Sequence, residues 1–378
     1  MVGERAYWLA WSQINGIGPV LLGRLQEKFG TLAAAWQANA IDLKQVEGFG
    51  PKIIEAVVNK RSQIDPLKFI EEHSIKNPNF WTPADREYPR LLLEIPHPPS
   101  VIYYQGQSEI LNNHNLKPII GIVGTREPSE YGRRWTRRLS NTLAKRGFTI
   151  VSGMAAGIDA EAHRGCLEAG GHTLAVLGTG VDIVYPPSNK GIYQQILKQG
   201  IVISEYSAGT KPDRTHFPRR NRIIAGLCRA ILVMEAPQKS GALITANLAN
   251  DFGRDVYILP GRLDDYQAIG CLSLLSKGAQ VILSENHLLE MLGEIPPIQA
   301  SEQLELFADA GSKITPQPKI NLEPELAMIL QAVDKEPMYF DFIVEKSGLN
   351  ASTVASALVQ LELMGLVVQL PGMRYQLV

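Results

Sequence analysis

The chain has little cysteine. Its 378 residues include three cysteines, Cys166, Cys228 and Cys271, which lie far apart and have no Cys-x-x-Cys or Cys/His spacing. A disulfide framework and a zinc site both need closely spaced ligands or paired cysteines, so neither is expected, and no metal ion is assigned.

The chain also lacks an excess of charge of either sign. Lysine and arginine total 37 against 38 aspartates and glutamates, for a net charge of -1. Any affinity for nucleic acid must therefore come from a local basic site. No apolar run reaches the length of a membrane span and no secretory signal is recognised, so a soluble cytoplasmic protein with no membrane partner is expected.

What the chain does have is a dense arginine segment from Thr215 to Gly226. Arg219, Arg220 and Arg222 follow the aromatic ring of Phe217 at what the pattern predicts to be the start of a helix. Guanidinium groups neutralise phosphates, and a ring offers a surface on which a base can stack. The alternative interpretation is a solvated surface or an ion-pair network.

Residues 1–75 are predicted to form a helical domain of the helix-hairpin-helix or SAM-like kind. Gly-Ile-Gly-Pro at 16–19 and Gly-Phe-Gly-Pro at 48–51 each precede an amphipathic segment, 20–29 and 52–58. Such glycines let backbone N–H groups approach a phosphate closely. The alternative, equally supported, is a helical packing module that touches no DNA.

Residues 76–295 are predicted to form one α/β domain that begins with a connector rich in proline and tryptophan. Seven apolar runs alternate with helical segments: 119–123, 149–151, 173–177, 201–204, 230–234, 256–259 and 280–283. Continuous apolar runs separated by helices indicate a parallel sheet covered on both faces. The expected fold is an extended Rossmann-like, doubly wound parallel sheet.

The loops after these strands are rich in small residues. They read Gly-Thr-Arg at 124–126, Ser-Gly-Met-Ala-Ala-Gly-Ile-Asp at 152–159, Gly-Thr-Gly-Val-Asp at 178–182 and Lys-Ser-Gly-Ala at 239–242. Ligands of such sheets bind beyond the carboxyl ends of the strands, where helix N-termini favour anions. None of these loops is a dinucleotide fingerprint or a P-loop, and no cofactor is expected.

Several polar residues near these loops have two interpretations. Asp159 is interpreted as a helix cap, and Ser240 either caps the next helix or holds a phosphate. Glu205 and Glu235 at strand ends are interpreted as structural, although a carboxylate there could serve as a general base. Four arginines on the helix after the first loop form a solvated face or extend a nucleic-acid track: Arg133, Arg134, Arg137 and Arg138.

The C-terminal part of the chain is predicted to be a linker, 296–320, followed by a winged helix, 321–378. Three helical stretches precede two short strands joined by a Pro-Gly turn at 371–372. The third helix carries Ser352, Thr353, Ser356 and Gln360 but no arginine. A protein-contact or accessory role is therefore favoured over sequence-specific reading of DNA.

Taken in order, the motifs of the central domain closely resemble those of the DprA/Smf DNA-processing family. They are Gly-Thr-Arg at 124–126, Ser-Gly-Met-Ala-Ala-Gly-Ile-Asp at 152–159, Tyr-Pro-Pro at 185–187, Phe-Pro-Arg-Arg-Asn-Arg at 217–222 and Ser-Gly-Ala-Leu-Ile-Thr-Ala at 240–246. The resemblance implies a non-enzymatic protein that binds single-stranded DNA, forms a homodimer and helps to load the RecA recombinase during natural transformation.

The same resemblance implies a set of DNA-binding residues at the rim of the sheet: Arg126, Ser152, Gly153, Lys211, Phe217, Arg219, Arg220, Asn221, Arg222, Lys239 and Ser240. One position departs from the family pattern. Where relatives usually have Gly-x-Asn, this chain has Gly270, Cys271 and Leu272, so a contact ascribed to that asparagine is in doubt. The alternative function is a small-nucleotide hydrolase or transferase that uses the same rim.

Overall fold

The structure is a computed structural model that describes residues 2–111, 118–293, 324–333, 338–363, 366–370 and 374–377. The chain divides into two compact units, Met1–Ser301 and Glu302–Val378. The predicted linker at 296–320 and the predicted turn at 371–372 lie outside the described residues. No helix in the described ranges is long and apolar enough to cross a membrane.

The first unit begins with six short helices: α1 Val2–Ser12, α2 Pro19–Phe29, α3 Leu32–Gln37, α4 Ala40–Lys44, α5 Pro51–Arg61 and α6 Pro66–Lys76. The two predicted amphipathic segments lie within α2 and α5, and each of these helices starts at the proline of its hairpin. Proline is favoured there because the first turn of a helix needs no N–H donor from it.

The two glycine hairpins pack against each other. Gly48 has a φ of +91°, and a Cβ added to it would lie 2.8 Å from a methyl carbon of Leu21 in α2. Gly16, with a φ of +87°, faces Ile53 of α5. This packing agrees with a helical module, and a backbone contact of these hairpins with phosphate stays a prediction.

A nine-stranded sheet forms the centre of the first unit: β1 Phe80–Trp81, β2 Ile102–Gly106, β3 Ile119–Val123, β4 Thr149–Ser152, β5 Thr173–Leu177, β6 Ile201–Ser204, β7 Ala230–Val233, β8 Asp255–Ile258 and β9 Gln280–Val281. The strand order is β1-β2-β6-β5-β4-β3-β7-β8-β9. Strands β3 to β9 pair in parallel, whereas β2 pairs antiparallel with both β1 and β6. The predicted doubly wound fold is confirmed.

Helices cover both faces of this sheet: α7 Glu130–Lys145, α8 Ile158–Glu168, α9 Lys190–Gln199, α10 His216–Leu227, α11 Gly241–Asp251, α12 Ile269–Leu275 and α13 Glu285–Gly293. Side chains of α10, α11 and α12 are buried in one hydrophobic cluster, and those of α7, α8 and α13 in another. Consecutive strand residues divide between the two clusters, as Ile119 and Ile120 do, because neighbouring side chains in a strand point to opposite faces.

The connector contains structure that the sequence did not indicate. Phe80 and Trp81 form β1, which pairs with β2, and neither strand was predicted. A strand of two residues carries no measurable period, so it gives no pattern to detect. The rest of the connector is anchored by Tyr88, which is buried and donates a hydrogen bond to the carbonyl of Pro99.

The second unit contains the predicted three helices and hairpin: α14 Pro324–Ala332, β10 Met338–Tyr339, α15 Phe340–Ser347, α16 Ala351–Leu363, β11 Val367–Leu370 and β12 Arg374–Leu377. The sheet order is β10-β12-β11, so a short strand before α15 was missed. This is the arrangement of a winged helix. Exposed positions of α16 include Ser352, Ser356 and Gln360.

Candidate functional site

The loops at the carboxyl ends of β3, β4 and β7 are tied together by backbone hydrogen bonds. The amide of Thr125, after β3, donates to the carbonyl of Glu235, after β7, at 2.7 Å. The amide of Ile158, at the start of α8, donates to the carbonyl of Thr125 at 3.1 Å. These bonds fix the loops as one rigid rim.

A cavity of about 780 Å³ opens on this rim. Three exposed cationic side chains line it, Arg126, Arg214 and Lys239. Its acidic lining consists of Asp159, which is buried, and Glu127, which is exposed. The cations outnumber the exposed carboxylate, so the cavity favours an anion.

One wall of the cavity is aromatic. The rings of Tyr185 and Phe217 have centroids 5.6 Å apart and are tilted by 30°. The guanidinium carbon of Arg126 lies 5.7 Å from the centroid of the Phe217 ring, within the range of a cation–π contact. Phe217 packs directly on Gly178, where a Cβ would lie 2.8 Å from the ring. Glycine at this position therefore lets the ring sit against the end of β5.

Arg220 lies inside the wall of the cavity, where its side chain is almost fully buried. Its guanidinium donates to the carbonyl of Gly153 at 2.6 Å and to the carbonyl of Val176, and its Nε donates to Asn221 at 3.2 Å. Burial lowers the pKa of Arg220 to about 10, so the group still carries its charge at neutral pH. Arg220 joins the ends of β4 and β5, and most of its donors are already used.

Asp159 holds the loop after β4, and the interpretation of this residue as a helix cap is wrong. The residue before α8 is Gly157, and the Asp159 carboxylate instead accepts the amides of Gly153 and Ala155, each at 3.2 Å. Burial raises the pKa of Asp159, and the charge of Arg220 opposes that rise. The helix begins two residues before the start that a cap at Asp159 would require, and its capping residue is a glycine, which has no side chain to mark that start in the sequence.

Asn221 and Ser240 organise the opposite wall. The Asn221 amide donates to the carbonyl of Gly241 at 3.2 Å, which ties α10 to the first residue of α11. Ser240 is the N-cap of α11, and its hydroxyl accepts the amide of Ala242 at 3.2 Å. Of the two roles predicted for Ser240, the capping role is confirmed, and a phosphate contact stays a prediction. The N-terminus of α11 faces the cavity, where its peptide dipole adds to the positive potential.

The structure brings some of the predicted site residues together and separates others. The cavity is lined by Arg126, Phe217, Arg220, Asn221, Lys239 and Ser240. Gly153 lines a smaller adjoining cavity that shares Arg126 and Phe217. Ser152 is fully buried, and its hydroxyl donates to the carbonyl of Ile122 at 2.6 Å. It therefore presents no surface to the cavity.

The remaining predicted residues lie outside the cavity. Arg222 is half-buried and forms an ion pair with Glu205 at 2.5 Å. Lys211 and Arg219 are exposed and have no ion-pair partner among the described residues. The three arginines of the 219–222 segment therefore have different environments, because a helix turns by about 100° per residue and sends adjacent side chains in different directions.

Sequence reasoning missed several residues that line the cavity, including Tyr185, Tyr266 and Gln267. Tyr185 belongs to the Tyr-Pro-Pro motif at 185–187, and its aromatic ring was a detectable signal of a binding surface. Tyr266 and Gln267 follow β8 by several residues and carry no motif of their own. Leu272, the departure from the family pattern, is half-buried in α12 and does not line the cavity.

The contacts of the two glutamates at strand ends support their interpretation as structural residues, and the contacts of the arginines on α7 support a solvated face. The Glu235 carboxylate accepts the backbone amide of Ser129 at 2.8 Å and also its hydroxyl, which fixes the start of α7. On α7, Arg137 pairs with Glu168 and Arg138 pairs with Glu285 across exposed surfaces. These ion pairs are typical of a solvated surface on which positive and negative charges largely balance.

His163 lies on α8 against the first residue of β5 and makes stability depend on pH. Its Nδ1 is 2.7 Å from the hydroxyl of Thr173, which itself donates to the carbonyl of Ile150. Nδ1 therefore carries the hydrogen, and the buried Nε2 has no hydrogen-bond partner in the described structure. Burial, aided by the charge of Arg220, lowers the pKa of His163 from 6.5 to about 3.

We expect wild-type protein to lose about 2 kcal/mol of unfolding free energy between pH 7 and pH 5 because of this residue. The unfolded chain binds a proton at His163 in this window and the folded chain does not, so stability falls as the pH falls. Urea unfolding at pH 7 and pH 5 measures the loss, and His163→Gln provides the comparison. An equal loss in His163→Gln would contradict the assignment.

The fold and the cavity together define a Rossmann-like α/β protein with a cationic, aromatic-walled ligand site at the carboxyl edge of its sheet, followed by a winged helix. Two family models match the chain: "DNA recombination-mediator protein A" over residues 79–293, and "DprA winged helix domain" over residues 313–373.

Individual relatives agree with these matches. The protein Smf of Synechocystis sp. is 52% identical over 99% of this chain and 98% of its own length. The X-ray structure of DNA processing protein A from Streptococcus pneumoniae superposes with a TM-score of 0.67 and 33% identity, covering 75% of this chain and 97% of that one. A structure of DNA processing protein A from Helicobacter pylori, described as having a unique single-stranded DNA binding mode, gives a TM-score of 0.52 and 30% identity, covering 57% of this chain and 96% of that one.

The chain therefore belongs to the DprA/Smf family of DNA recombination-mediator proteins. Membership in this family makes it a DNA-processing protein of the recombination-mediator type.

Proposed function

We propose that this protein binds single-stranded DNA in the cavity at the rim of its sheet. The observation that carries the proposal is the combination of exposed cations with an aromatic wall: Arg126, Arg214 and Lys239 surround the rings of Tyr185 and Phe217. Cations neutralise the phosphates of a strand, and aromatic rings stack on bases of any sequence. The H. pylori relative, described as a single-stranded DNA-binding protein, supports the same assignment.

The DNA contacts are predicted to have little base specificity. The exposed charged donors of the cavity are guanidinium and ammonium groups, which together with the backbone at the start of α11 are suited to phosphates, the part of a strand that carries no sequence information. Arg220 acts in this proposal as the support of the loop after β4, because its guanidinium donates to the carbonyls of Gly153 and Val176.

We propose further that the protein is not an enzyme. Glu205 and Glu235, the carboxylates that could have served as general bases, are engaged with Arg222 and Ser129 respectively. Burial lowers the pKa of His163 to about 3, far from the range useful for proton transfer near neutral pH. These contacts favour strand binding over the hydrolysis or transfer of a small nucleotide.

The family resemblance carries the remaining part of the proposal: the protein acts in the cytoplasm as a homodimer, protects incoming DNA and delivers it to a RecA-type recombinase during natural transformation. The exposed large apolar side chains include Ile244 of α11 and Tyr266 in the lining of the cavity, and Ile269 and Leu275 on α12. An exposed apolar surface of this kind supports an interface with a second copy or another protein.

The test is the binding of fluorescent oligothymidylate over a salt series by the wild type and by Arg126→Ala/Lys239→Ala. If each residue neutralises one phosphate, the slope of log affinity against log salt falls by about 1.4, and affinity at 0.1 M salt falls about 25-fold. The matched control is Lys198→Ala, an exposed charge on α9 near the amino ends of the strands. Its affinity should equal that of the wild type.

Two results would overturn the proposal. Equal salt slopes for the double variant and the wild type would mean that the cavity does not hold phosphates. Tight binding and consumption of a mononucleotide, with no gain in affinity as the strand lengthens, would favour the nucleotide enzyme instead.

A further inference from the structure

A second aromatic pair lies at the rim but outside the cavity. The rings of Tyr206 and His216 are stacked, with centroids 3.9 Å apart and planes 20° from parallel. Both residues are half-buried, so part of each is accessible to solvent. Neither lines the cavity, and neither belongs to the residue set that the sequence predicted.

This pair is next to the aromatic wall of the cavity. The Nδ1–H of His216 donates to the carbonyl of Gly178 at 3.1 Å, and the adjacent Phe217 packs its ring on the same glycine. His216 and Phe217 are the first two residues of α10, so their side chains diverge by about 100°. The Tyr206–His216 pair and the Tyr185–Phe217 pair therefore lie on either side of one glycine at the end of β5.

The segment of residues 206–219, which contains both rings, carries three exposed cations, Lys211, Arg214 and Arg219, against one exposed acid, Asp213. Lys211 and Arg219 are exposed, and neither has an ion-pair partner within the described part of the chain. Arg219 lies three residues after His216 on α10, and residues three apart are neighbours on one face of a helix.

The nearby acids are already engaged within the protein. The Asp213 carboxylate accepts the amide and the hydroxyl of Thr215, and these bonds lower the pKa of Asp213. Glu205 pairs with Arg222. The loop between β6 and α10 also supplies Arg214 to the cavity, so positive charge continues from the cavity to this pair.

We propose that Tyr206 and His216, with Lys211 and Arg219, form a second stacking subsite for the part of a single strand that leaves the cavity. This inference rests on the proposed function and extends it. A base stacks on this aromatic pair, and the adjoining phosphates lie against the two cations. Because both kinds of contact are independent of base identity, the subsite increases affinity for long strands of any sequence.

The test compares short and long oligothymidylate with wild-type protein, Tyr206→Leu and Arg219→Ala. Strands of about 4 and about 16 nucleotides span the usual range of such sites. Each variant should bind the short strand as the wild type does. The long strand should bind about 10-fold more weakly to Tyr206→Leu, which loses one stacked base, and about fivefold more weakly at 0.1 M salt to Arg219→Ala, which loses one phosphate contact. Tyr206→Phe is the matched control for stacking and should retain wild-type affinity for both strands. Thermal unfolding checks that each variant is folded.

A fluorescent base analogue identifies the stacking directly. With 2-aminopurine placed in turn at each position of the long strand, one position beyond the cavity should be quenched by the wild type and by Tyr206→Phe but not by Tyr206→Leu. The inference is overturned if folded Tyr206→Leu binds the long strand with wild-type affinity, or if its affinities for the short and long strands fall by the same factor. Failure of the wild type to bind either strand would instead overturn the proposed function.

Discussion

Replacement of Arg220 by alanine is expected to lower the free energy of unfolding by about 3–5 kcal/mol, the range for removing one member of a buried charged network. The guanidinium group is buried and donates to carbonyls at the ends of two strands. Without it, the carbonyls of Gly153 and Val176 lose their donor, and the buried carboxylate of Asp159 loses its compensating positive charge. Urea unfolding of the wild type and Arg220→Ala measures the difference.

Arg219→Ala is the matched control, because it removes the same side chain one residue earlier from an exposed position. Its unfolding free energy should remain within about 0.5 kcal/mol of the wild type. If Arg220→Ala were as stable as Arg219→Ala, the buried network would not support the rim. A triple variant that lacks Arg219, Arg220 and Arg222 would therefore be hard to interpret. Its loss of DNA binding could result from unfolding alone, because the buried Arg220 is among the residues removed.

Gly157→Ala is expected to destabilise the protein by about 3 kcal/mol, through backbone strain and overpacking together. Gly157 has a φ of +78°, and a Cβ there would lie 2.5 Å from the carbonyl oxygen of Thr125 and 2.6 Å from backbone atoms of Arg126. The clash is with backbone, so no side-chain rotation relieves it. The loop that carries Arg126 must move, and we also expect strand affinity to fall about fivefold at 0.1 M salt, the value of one phosphate contact.

The control for strain alone is Gly170→Ala. Gly170 also has a positive φ, +69°, but a Cβ there would meet nothing within 4 Å, and the residue lies after α8, away from the rim. This variant should lose about 1 kcal/mol and bind oligothymidylate normally. Equal stability of Gly157→Ala and Gly170→Ala would contradict the role of Gly157 in holding the two loops together.

The parts of the fold that the sequence predicted are those with a strong local pattern. Buried parallel strands are continuous apolar runs, and Ile119–Val123 and Thr173–Leu177 were predicted to the residue. The cationic rim was also predictable, because small-residue loops after parallel strands must converge at one edge of the sheet. Arg126 and Lys239 follow from that rule, and both line the cavity.

The environment of each arginine could not be predicted in the same way. Arg219, Arg220 and Arg222 are chemically identical in the sequence, and their exposure depends on the face of α10 that each occupies. That face is fixed by distant contacts, such as the carbonyl of Val176 for Arg220 and the carboxylate of Glu205 for Arg222. The Tyr206–His216 stack likewise joins residues that follow different elements, and no local spacing reveals it.

The two outermost strands of the sheet restrict how copies of this protein can assemble. The sheet ends in β1 on one side and β9 on the other, and each of these strands has only two residues. So short an edge offers too few free backbone groups to template the strand of another molecule. The central sheet is therefore protected from edge-to-edge polymerisation.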